Sequence, residues 1–178
     1  MRTAVIVYLL APLLFLIPLN TNGENLKDPC SAQFPDSLRK AMQGEYLGWK
    51  VVTPAMLNPY HKKLFTKDHK GNCPGLAKVD LYGHGRAVYA MVLERDGIAR
   101  LLMAQQLKGK WQLTTLEGDT RVPPVPVVVA MPAGEYEQVY KERTLKSVND
   151  VIAYIGYESW AIVYAWDGKE IQKVHIND

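Results

Sequence analysis

Cysteine is scarce in this chain, with two in 178 residues, and there are four histidines. No C-x-x-C pair occurs, and the spacing of His61, His69 and Cys73 fits no closed zinc framework. The nucleophile elbow of an esterase is missing as well, because "GYESWAI" around Ser159 lacks the second glycine that the sharp turn needs. No dense Lys/Arg run with interleaved aromatics marks a nucleic-acid footprint. No internal period of solenoid or propeller length is visible either. The expectation is therefore no cofactor, no bound metal, no nucleic-acid partner and no catalytic residue set. The net charge of +3 says little about partners, and 48% hydrophobic with 22% charged residues is ordinary for a globular domain.

What is present begins with "MRTAVIVYLLAPLLFLIPLNTNG". One basic residue, Arg2, precedes an unbroken apolar run that gives way to small polar residues. That is the layout of a secretory signal peptide. The run is short for a bilayer span of ~20 residues and holds Pro12 and Pro18, so a permanent anchor is the weaker reading. The expected organisation is a signal peptide over 1–23 and one domain over 24–178, periplasmic or secreted. Contact with a membrane is expected only through an uncleaved signal segment. In an oxidising compartment an isolated pair of cysteines reads most economically as a disulfide between Cys30 and Cys73.

The mature chain opens with helical signals. Pro35 to Gly44 carries Leu38, Ala41 and Met42 at helical spacing, and Thr53 with Pro54 starts a second helix running to about Phe65. From Leu76 onward the pattern changes to strands, "LAKVDLY", "RAVYAMVLE", "IARLLMAQQ" and "KWQLTTLE", separated by glycine-bearing turns. Pro123, Pro124 and Pro126 place "RVPPVPVVVAMPAG" at a sheet edge or in an extended connection. The expected fold is α+β: two short N-terminal helices packed on a twisted, mainly antiparallel sheet of six to eight strands.

Two stretches invite a functional reading. Counted as a calcium loop from Asp80, "DLYGHG" puts Tyr82 and His84 where oxygen ligands are needed, so Gly83 and Gly85 read as turn glycines. In "WAIVYAW", alternation puts Trp160, Ile162, Tyr164 and Trp166 on one face and Ala161, Val163 and Ala165 on the other. The aromatic face, extended by Tyr157, is either the second half of the core or a platform for a partner.

"CPGLAKVDLYGHGRAVYAMVL" resembles the strand, turn and strand that uncharacterised exported bacterial proteins share with FG-GAP or VCBS-type repeats, in which D-x-N-G-D-G precedes an apolar strand. "SLRKAMQGEYLGWKVVT" and "GYESWAIVYAWDGK" resemble further blocks of such exported proteins. The resemblance implies a bacterial envelope setting. The expected function is a non-catalytic exported binding domain, inhibitor- or immunity-like in one concrete form, whose partner is another envelope or extracellular protein. A hydrolase whose carboxylates converge only in three dimensions is the alternative, and a structural accessory domain is a third reading.

Overall fold

The computed structural model describes residues 29–139 and 143–176, so the N-terminal apolar segment and its expected cleavage lie outside the described residues. The fold is mixed and mainly antiparallel. It differs in detail from the single sheet with two helices, having three helices and eleven strands among the described residues. A short helix α1 (Pro29–Gln33) carries Cys30, and α2 (Asp36–Glu45) follows where the spacing of Leu38 and Met42 places it. Strand β1 (Lys50–Val51) comes next, then α3 (Pro59–Asp68).

Helix α3 starts five residues later than Thr53-Pro54 suggests. Asn58 is the better cap, and its side chain accepts the His61 N–H at 2.8 Å with Pro59 in the first turn. Thr53 instead closes a turn, its carbonyl accepting the Met56 N–H at 3.0 Å.

The meander is present as β2 (Leu76–Val79), β3 (Val88–Arg95), β4 (Ile98–Leu107) and β5 (Lys110–Arg121), each antiparallel to the next. With β1 these form a five-stranded sheet. It does not continue into the rest of the chain. The prolines after β5 end pairing, and β6 (Val127–Met131) becomes the edge of a second sheet in the order β11-β10-β9-β6. Its other members are β9 (Val151–Gly156), β10 (Trp160–Trp166) and β11 (Ile171–Ile176). A two-stranded ribbon, β7 (Gly134–Glu137) and β8 (Thr144–Ser147), sets Tyr136 and Leu145 into the core against β10 and β11.

The split into two sheets follows from the meander being apolar on both faces. One face of β3 and β4, with Met91, Leu93 and Leu102, packs against Leu38, Met42 and Tyr46 of the N-terminal segment. The other, with Ala90, Val92, Leu101 and Met103, shares a core with the second sheet. Such a sheet cannot leave either face to water, so helices cover one side and strands the other. Helix α3 does not join α2 on the outer face: its Phe65 belongs to the inner core, and His61 reaches Glu158 in the β9–β10 turn at 3.4 Å.

Strands β1 and β2 are two pieces of one edge strand, both antiparallel to β3, with α3 looped out between them. The Val52 N–H donates to the Val92 carbonyl, and the Val92 N–H donates to the Gly75 carbonyl, both at 3.0 Å. The chain thus leaves at Val52 and returns at Gly75 against the same residue. A side chain at 75 does not fit there, since a Cβ would lie 2.4 Å from the Val52 carbonyl oxygen. Next to this joint, Cys73 is disulfide-bonded to Cys30, as the pair count leads one to expect. Closing a loop of that separation stabilises by about 3 to 4 kcal/mol on chain entropy.

Two substitutions test this account by urea unfolding. Gly75→Ala meets backbone that cannot move aside, and should cost about 2 to 4 kcal/mol. Gly44→Ala, exposed within α2 and with nothing near its Cβ position, should instead stabilise by roughly 0.5 to 1 kcal/mol.

Candidate functional site

The aromatic strand is the central element of the second sheet, with β9 on one side and β11 on the other. Its residues do not form one exposed platform. Tyr164 is 2% exposed, and its hydroxyl donates to Glu117 Oε2 at 2.6 Å. Trp160 and Trp166, at the two ends, are half-buried. Trp160 tilts against Tyr154 at 4.8 Å and lies over Gly156, where a Cβ would come within 2.5 Å of the indole. Trp166 meets Tyr82 edge-on at 5.0 Å. Tyr157 is half-buried in the β9–β10 turn, its ring 5.4 Å from that of His61. The face is therefore core along its middle, and only its ends reach the surface.

Glu117 belongs to β5 and sits between two irregularities in the β4–β5 register, one on each side of its partner Leu101. Bulges re-aim side chains, and here the carboxylate turns toward the second sheet. It accepts from Tyr164 and, at 3.1 Å, from Lys173 Nζ. Burial works to raise its pKa, but the hydrogen bonds from Tyr164 and Lys173, with the charges of Lys173 and His175, outweigh it and hold the carboxyl below its ordinary range. Burial pushes the neighbouring Tyr154 up to about 12. This is a partly exposed polar clasp linking the two sheets.

The loop at Asp80 is a turn. Asp80 Oδ2 accepts the Gly85 N–H at 3.1 Å, and Gly83, His84 and Gly85 all take left-handed φ values between 67° and 73°. The carboxylate thereby organises its own loop. Cys73 is held in the disulfide, and the His69 ring packs 5.2 Å from Phe65 with its pKa lowered by burial.

An open groove of ≈350 Å³ lies elsewhere, between α1, α2 and the β1 edge. Aromatic residues from three short segments build it. Phe34 comes from the α1–α2 link, Tyr46 from the C-cap of α2 and Trp49 from the turn into β1, where the Trp49 N–H donates to the Tyr46 carbonyl at 3.1 Å. Helix α2 is fixed over the sheet by the buried Leu38 and Met42 and by Trp111, whose indole donates to Ser37 Oγ at 3.1 Å. Leu47, 76% exposed, stands on the rim.

The electrostatics of the groove are one-sided. Among the described residues Arg39 and Lys50 line it and no carboxylate or histidine does, although Arg39 is paired with Asp36 just outside the groove at 3.9 Å. Arg39 lies 4.9 Å from the Phe34 ring centre, while Arg95 and Arg100 lie 4.7 and 4.6 Å from that of Trp49. Guanidinium groups on aromatic rings keep planar donors beside an apolar surface. Arg100 is also paired with Asp119, within the second β5 irregularity. The arrangement can hold an apolar group next to a carboxylate. It offers shape and charge instead of an acid–base pair.

Sequence reasoning missed this groove. Its one visible signal is "YLGW", Tyr46 to Trp49, where two aromatics and a leucine crowd a helix-to-strand turn.

The Glu117 clasp predicts acid sensitivity with a definite sign. Its carboxyl binds protons more weakly folded than unfolded, so its stabilising contribution is present at neutral pH and is lost as pH falls below about 4. Glu117→Gln should be less stable than wild type at pH 7, and the gap should close on acidification, as read by tryptophan fluorescence in urea at each pH. Comparison with protein-family models, curated proteins and solved structures finds no match to this chain.

Proposed function

We propose that this protein is a non-catalytic exported binding domain of the bacterial envelope, and that it engages a protein partner through the groove between α2 and β1. The observation that carries this reading is the groove itself, an open concave surface with an aromatic floor, an exposed leucine on its rim and cationic lining without a carboxylate. Aromatic and arginine side chains are the usual anchors of protein interfaces, because they offer large contact area at low entropic cost. The partner is another envelope or extracellular protein, in the manner of an inhibitor or immunity protein that caps its target.

Export is supported by the apolar N-terminal segment with its basic start and by the Cys30–Cys73 disulfide, a bond that persists in oxidising compartments. Among the described residues no helix is long and apolar enough to cross a membrane. The likeness of "VDLYGHGRAVYAMVL" to the strand-turn-strand of exported bacterial proteins supports the same setting.

Site-specific photo-crosslinking in cells tests the groove. A benzophenone amino acid at Leu47, on the rim, should yield one discrete crosslinked adduct that disappears with Trp49→Ala. The same group at Leu107, an exposed residue outside the groove, should yield none. Equal crosslinking from both positions, or none from Leu47, would refute the groove as the contact surface.

A further inference from the structure

The groove runs along an unpaired sheet edge, and this gives its occupant a conformation. The Val52 N–H donates to the Val92 carbonyl and Val51 stands opposite Leu93, so in the antiparallel ladder of β1 and β3 Val51 directs its own N–H and C=O away from β3. Among the described residues neither group has a hydrogen-bond partner. The Val51 and Trp49 side chains lie on the helix-covered face, where they form part of the groove wall. An apolar trough flanked by cations therefore borders an open donor and acceptor of a sheet edge.

We infer that the groove takes an extended segment of the partner that adds to the β1 edge as a further strand, with a carboxylate and an apolar or aromatic side chain at alternating positions. Strand addition supplies main-chain hydrogen bonds for affinity and leaves alternate side chains to give specificity. Here the Val51 N–H and C=O provide the main-chain bonds. The floor of Phe34, Tyr46 and Trp49 takes the apolar side chain, and Lys50, which alternates to the other face of β1 from Trp49 and Val51, takes the carboxylate of the neighbouring position. A helical segment would satisfy its own backbone and leave the Val51 groups unmet. The inference rests on the groove reading above and goes beyond it in naming the conformation and charge of what binds.

The test selects short random peptides displayed on phage against the full-length protein, then measures binding of the selected sequence as a synthetic peptide by fluorescence anisotropy. Three probes follow: Trp49→Ala, Val51→Pro and a scan of single backbone N-methylations along the peptide. Proline at 51 removes a donor that points away from β3, the side on which an edge strand tolerates it. The expected result is an alternating acidic and apolar sequence whose affinity falls about tenfold or more with Val51→Pro, with Trp49→Ala and with N-methylation at one position. If Val51→Pro lowers the melting temperature enough to unfold the protein, the N-methyl scan decides the matter alone.

Peptides that need Trp49 but tolerate every N-methylation overturn strand addition while leaving the groove as the binding surface. Peptides without a carboxylate overturn the charge assignment. Peptides indifferent to Trp49→Ala, or a selection that yields none, overturn the groove reading together with the inference.

Discussion

The fold depends on a three-residue joint. Cys73 is bonded to Cys30 in α1, the Pro74 carbonyl accepts the Val128 N–H of β6 at 2.8 Å, and the Gly75 carbonyl accepts the Val92 N–H of β3. These residues tie the N-terminal helix, the second sheet and the meander to one short stretch of chain. A disulfide, a residue that needs no N–H and a residue without a side chain are what such crowding requires, because three elements approach within backbone contact. The same joint lets a long excursion containing α3 leave the edge strand without ending it. Val92 accepts from the strand before the excursion and donates to the strand after it.

From that joint the layers follow. The meander is apolar on both faces, and each face needs its own cover. α2 lies over one because Leu38 and Met42 recur on one side of the helix, and the second sheet lies over the other. Strand β10 explains how the second sheet packs. Alanine at 161 and 165 keeps one face thin while tyrosine and tryptophan thicken the other, and Gly156 leaves room for the Trp160 ring. Glu117, partly exposed between the sheets, is held there because Tyr164 and Lys173 both donate to it.

Much of this was legible in the sequence where the signal is local. The meander could be read from alternation and turn glycines, α2 from the spacing of Leu38 and Met42, and the disulfide from a count of two. The reading failed where two local signals compete or where the decisive contact is distant in sequence. Thr53-Pro54 and Asn58-Pro59 are both helix starts by local rule, and the Asn58 side-chain bond to His61 decided between them. Helix α1 has five residues and no period to detect. That the strands divide into two sheets depends on which strand β6 meets, and prolines say only where pairing stops. Tyr164 and Trp166 show the limit of alternation, since they share a face but only the tryptophan reaches the surface. Periodicity assigns a side and says nothing of what covers it. The groove was harder still, because its walls come from α1, α2 and β1 and its openness is a property of their spacing.

An edge strand of two residues is a usual way to limit unwanted sheet pairing, since it offers few free backbone groups. β2 continues the same edge, and just before it the Pro74 carbonyl is taken by the Val128 N–H of β6. Val51 is the part of the edge that lies beside Trp49 and the groove. A generic strand from an aggregating neighbour would gain little from a single pair of hydrogen bonds there. A strand that also seats an apolar side chain on the aromatic floor and a carboxylate beside Lys50 gains from all three. The shortness of β1 thus turns a general liability of sheets into a filter, in which backbone pairing alone is too weak to hold a partner and side-chain complementarity decides which partner stays.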